Sequence, residues 1–115
     1  MRLYPPLLFA SFVLVLAGCG ASPEVTLQQL AESQQDYAGQ RVVTRGVVRN
    51  ERDPDGSSYF VLSDPRGALV GLEPADTARR FEGKAVQVGG LFEIEPGFGR
   101  VIHIASIALD LGAGH

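Results

Sequence analysis

The chain holds one cysteine, two histidines and no tryptophan in 115 residues. A single cysteine cannot close a disulfide within the chain, so the fold is not a disulfide scaffold. One cysteine and two histidines also fall short of the four Cys/His ligands of a closed structural zinc site. Positive charge is scarce: 10 Lys+Arg stand against 13 Asp+Glu, a net charge of −3. That balance argues against a general polyanion binder, whose phosphate contacts need clustered excess Lys/Arg. The length leaves room for one domain and excludes a multidomain enzyme. Long apolar runs are missing too. The run from Leu7 to Ala17 has 11 residues, whereas a hydrocarbon core about 30 Å thick needs about 20.

What is present at the amino terminus is a different signal. Arg2 is the one charge before a short apolar centre, which closes on the small residues of Leu16-Ala17-Gly18-Cys19. A basic start, a short apolar stretch and small residues before a break make an export signal. The four closing residues resemble the lipobox of bacterial lipoproteins at every position. The resemblance implies that the Cys19 thiol receives a diacylglycerol, that Met1 to Gly18 are cut away, and that Cys19 begins the mature chain. The partner so implied is a membrane, held through palmitate-class acyl chains. Each buried CH₂ adds about 0.8 kcal/mol, so two or three chains hold firmly where one is marginal. The expected address is outside the cytoplasm, at the bacterial cell membrane or outer membrane. Gly20 in second place resembles the default for release to the outer membrane in Gram-negative cells.

Cleavage leaves 97 residues and removes one positive and no acidic residue, so the net charge becomes −4. Residues 19–24 read as a lipidated tether, 25–110 as the domain and 111–115 as a frayed tail. Within the domain, Thr26 is placed as N-cap of a helix carrying Leu27, Leu30 and Ala31 on one face. Strands are predicted at Arg41–Arg49, Ser58–Ser63, Ala68–Leu72, Lys84–Ile94 and Arg100–Leu109. Turn sequences lie at Asp53-Pro54-Asp55-Gly56, Asp64-Pro65-Arg66-Gly67 and Pro96-Gly97-Phe98-Gly99. A short helix is predicted at Asp76–Phe81. Tyr37-Ala-Gly-Gln-Arg-Val and Phe81-Glu-Gly-Lys-Ala-Val repeat at an offset of 44, each with a further Gly at the tenth position. The physical reading is a turn into a strand, then a point where the strand bends or another backbone comes close. The expected core comprises Val42, Val48, Phe60, Leu62, Val86, Val88, Ile102 and Ile104.

The order of three strands, helix and two strands resembles the OB-fold, as do three phrases: the opening strand from Gly39 to Val48, the hairpin around Tyr59–Asp64 with Gly67, and the strand from Gly83 to Gly90. The implied class is all-β with minor helix: a five-stranded OB-fold-like β-barrel with a short N-terminal helix and one short inter-strand helix. Haem chaperones of cytochrome c maturation share this fold, but neither His103 nor His115 sits in their haem-attachment motif.

The residues offer few sites. Arg45, Arg49 and Tyr59 are the candidate ligand-binding group, because an aromatic beside arginines is how an OB-fold holds a single-stranded polyanion. Net charge −4 and an exported address favour an envelope protein, an anionic glycan or a lipid headgroup as partner, while nucleic acid stays possible through the fold. Glu51, Asp53 and Asp55 are explained by turn chemistry, since a calcium loop needs a closing Glu. Glu93 and Glu95 share a strand face and read as solvated. His103 reads as an exposed or internally satisfied histidine. No catalytic residue, metal ligand or cofactor motif is assigned: there is no Gly-x-Ser-x-Gly elbow and no phosphate loop. The leading expectation is a non-catalytic OB-fold binding or assembly module at the cell envelope. Its alternatives are an oligonucleotide- or oligosaccharide-binding protein and, last, a hydrolase.

Overall fold

The computed structural model describes residues 22–112. The signal segment, Cys19 and the last three residues, with the expectations attached to them, lie outside the described residues. In chain order the elements are α1 (Leu27–Glu32), α2 (Gln34–Tyr37), β1 (Gln40–Arg52), β2 (Ser58–Ser63), β3 (Leu69–Glu73), α3 (Ala75–Arg79), β4 (Ala85–Glu95) and β5 (Gly99–Leu109). The five strands close into a barrel in the order β1-β2-β3-β5-β4. This is the OB topology anticipated from the strand and helix order.

Closure depends on β1 serving two neighbours. Its first half, Gln40 to Val47, pairs with β4, and its second half, Val47 to Arg52, pairs with β2. The strand must bend sharply at the hand-over, where Gly46 stands. A Cβ on Gly46 would lie 2.7 Å from the Ser63 carbonyl oxygen and 2.9 Å from Leu62 Cγ. Only glycine admits that approach. Gly90, its equivalent in the repeat, sits at the register shift between β4 and β5, again against a backbone carbonyl, that of His103. The repeat therefore marks the paired strands β1 and β4.

Inside the barrel, Val42, Val48, Phe60, Leu62, Val86, Val88 and Ile102 are buried as expected, joined by Val70, Leu72 and Phe92. Ile104 is the exception: it is half-buried and packs against the edge of this cluster. The register shift accounts for part of this. Gly90 pairs with Ile104 and Gly89 with Ser106, so Ala105 is the extra residue of a bulge. Beyond Glu73 the β3–β5 pairing ends, and Ile104 lines the cleft that opens there.

The N-terminal helix plugs the barrel with Leu27 and Leu30. Thr26 caps it reciprocally. Its hydroxyl accepts from the Gln29 N–H at 3.0 Å, and the Gln29 side chain accepts from the Thr26 N–H at 2.8 Å. The helix breaks at Ser33, which leaves helical geometry at φ −125°, ψ 39°. α2 then brings Tyr37 against the core. The Val43 N–H donates to the Pro23 carbonyl and the Val25 N–H to the Val43 carbonyl, so the segment from Pro23 lies along β1.

Candidate functional site

A barrel strand alternates inside and outside. The row Val61–Gly71–Val101, paired across β2, β3 and β5, therefore faces outward, opposite in parity to the core residues Phe60 and Leu62. Yet Val61 is only 4% exposed and Val101 0%. An outer apolar layer explains this. The β4–β5 turn brings Phe98 onto Gly71, where an added Cβ would stand 2.6 Å from the ring. Tyr59 of β2 meets the same ring edge-on, with centroids 5.7 Å apart at 76°. Glycine at position 71 leaves a recess in the sheet that the Phe98 ring fills. Phe98 itself remains 43% exposed, so the ring presents its other side to solvent.

Beside these rings lies an open cleft of about 550 Å³, lined among others by Tyr59, Phe98, Glu73, Pro74, His103 and Ile104. Its volume is in the range of small-ligand sites. Its polar wall comes from the parallel β3–β5 pairing, which sets Glu73 beside His103. The Glu73 carboxylate stands 3.5 Å from His103 Nδ1. Across the β4–β5 hairpin, Glu93 and Glu95 come within 3.2 and 3.1 Å of His103 Nε2. Three carboxylates thus surround one imidazole. Glu93, Glu95 and His103 lie on the outer face with side chains 44%, 35% and 36% exposed, as a solvated face and an exposed histidine anticipate; what the structure adds is that they meet there. The signal that would have found them was the hairpin register: the Pro96-Gly97 turn pairs Glu95 with Gly99, Glu93 with Val101 and Leu91 with His103.

The residues singled out earlier are separated. Arg49 and Tyr59 share the outer face of the β1–β2 pair, opposite Val61 and Glu51 respectively. Arg45 belongs to the β1–β4 half, opposite Gln87. Its guanidinium is engaged by Glu24 at 2.8 Å and by Asp110 at 3.4 Å. Asp53, Asp55 and Gly56 form the β1–β2 turn. The Asp55 carboxylate accepts the Ser57 N–H at 2.9 Å, and that hydrogen bond holds its pKa below 3.8. Arg100 ties the barrel end together, donating to the Gln34 side chain at 3.2 Å and to the Leu69 carbonyl at 3.0 Å. Among the described residues no helix is long and apolar enough to cross a membrane.

No protein-family model matches the chain, and no curated protein matches it. Among solved structures it is similar to the second OB-fold domain of replication protein A from Methanococcus maripaludis. The identity is 16% and the TM-score 0.35, over 69% of this chain and 90% of that one.

Proposed function

We propose that this protein is a lipid-tethered, non-catalytic OB-fold binding module that docks a protein segment at the cell envelope through the cleft beside Tyr59 and Phe98. The observation that carries the reading is the outer layer. A ring seated in a glycine recess, with a second ring edge-on to it, forms an aromatic wall beside an open cleft. Aromatic side chains supply contact area at low entropic cost and are enriched where partners dock. The carboxylates of Glu73, Glu93 and Glu95 oppose a polyanion at this face. The tether rests on Leu16-Ala17-Gly18-Cys19. The test is crosslinking and pull-down from intact membranes, with wild type beside Cys19→Ser. The reading expects a protein partner captured by wild type and lost when the variant leaves the membrane. A chain with an unmodified Cys19, or capture that does not depend on the anchor, contradicts it.

An anionic ligand, oligonucleotide or oligosaccharide, is the second reading. It has one observation in its favour: Arg49 and Tyr59 share an outer face. Against it, Arg45 is already neutralised by two carboxylates, and Glu51 stands opposite Tyr59. Binding that weakens with salt and is lost in Arg49→Ala would establish it.

A further inference from the structure

We infer that His103, Glu95 and Glu73, with Glu93 beside them, form a binding site for one divalent transition-metal ion. The geometry around Nε2 of His103 carries the inference. This nitrogen is shielded from solvent and has no hydrogen-bond partner, although carboxylate oxygens of Glu95 and Glu93 stand 3.1 and 3.2 Å away. They are close without closing a hydrogen bond, which leaves the ring nitrogen's own bonding capacity unused. Two donors each about 2.0–2.1 Å from a shared ion stand about 3.0–3.4 Å apart at bond angles of about 95–110°. The observed separations fall in that interval.

Glu73 completes the arrangement from the other side of the ring. One ligand atom from each of Glu73, Glu95 and His103 lies within 4.8 Å of the others. At 3.5 Å from Nδ1, the Glu73 carboxylate is placed to accept from Nδ1–H, keeping the proton on that nitrogen and leaving the Nε2 lone pair free for metal. A carboxylate behind a ligating histidine commonly fixes the tautomer in this way. An imidazole donor with carboxylates suits zinc and its first-row neighbours better than calcium or magnesium, which prefer oxygen alone. The scarcity of cysteine and histidine excludes a closed Cys/His centre but not a mixed site of this kind. Because His103 also lines the cleft, coordination positions remain open toward a donor atom brought by a partner.

The test is calorimetric titration of the untagged full-length chain, in detergent, with zinc chloride. Wild type and His115→Gln should each take up one ion with saturation, and excess calcium should not compete. His103→Gln and Glu95→Gln should lose the uptake, and Glu73→Gln should weaken it about 10-fold. Should a variant unfold, the ¹⁵N signals of the His103 ring in wild type decide instead, with a shift at Nε2 expected on zinc addition. The inference is overturned by the absence of saturable uptake, by uptake that survives His103→Gln, by loss in His115→Gln, or by unshifted His103 signals. The titration uses no partner, so its failure leaves the docking cleft standing.

Discussion

Gly71→Ala separates the outer layer from the barrel beneath it. The new Cβ points away from the core, 2.6 Å from Phe98 Cε2 and 3.3 Å from the Arg100 carbonyl oxygen. Because Phe98 is 43% exposed, the ring has room to swing out. Leaving the recess gives up about half of a full Phe burial, or about 1–1.5 kcal/mol. The edge-on contact with Tyr59 contributes about 0.5–1.5 kcal/mol more. Alanine in a strand returns about 0.5–1 kcal/mol relative to glycine. The net loss is about 1–2 kcal/mol, which lowers Tm by about 5–15 °C in a domain of this size. Thermal and urea melts followed by far-UV circular dichroism measure the loss, and nuclear Overhauser contacts between Phe98 and Tyr59 report the ring. Loss of those contacts with a native far-UV spectrum is expected. Unchanged ring contacts, or destabilisation above about 4 kcal/mol of the kind core cavities produce, would show that Phe98 is not seated in the Gly71 recess.

Among the described residues Phe92 is the largest fully buried side chain, and Phe92→Ala should cost about 3–5 kcal/mol by chemical denaturation, a large share of the about 5–10 kcal/mol expected in total. Arg45→Ala should change stability by no more than about 1 kcal/mol, because its pairs with Glu24 and Asp110 are partly solvated. Asp55 has a folded pKa held below 3.8 by the Ser57 N–H. Its contribution is therefore present above that value and is lost as pH falls through the folded pKa. Wild type should be slightly more stable than Asp55→Asn at neutral pH, and acid titration of unfolding should show the two converging.

The parts of the fold that depend on neighbours in sequence were legible. Thr26 and the residues after it specified a capped helix, and the three Pro/Gly turns bounded the strands. Gly46 and Gly90 could be paired from the repeat because the bend each allows is a local backbone property. What remained hidden depends on which strands meet. His103 becomes chemically distinctive only through Glu73, which reaches it by the parallel β3–β5 pairing, and through Glu93 and Glu95 across a hairpin. Alternation alone placed those glutamates on a solvated face. Val61 and Val101 follow the same logic. The outward parity of Val61 was readable, but the outer layer that includes Phe98 on Gly71 was not, because the turn sequence presented Phe98 only as a loop residue. Arg45 looked equivalent to Arg49 by parity, yet the bend at Gly46 sends the two toward different neighbouring strands.

We propose that the face carrying Phe98 is where this protein meets its partner. A photo-crosslinking residue placed in turn at Phe98 and at exposed Gln87 on β4 tests it in intact cells. A discrete protein adduct is expected from position 98, abolished by Tyr59→Ala, and none from position 87. Adducts of equal yield from both positions, or from 87 alone, would contradict it.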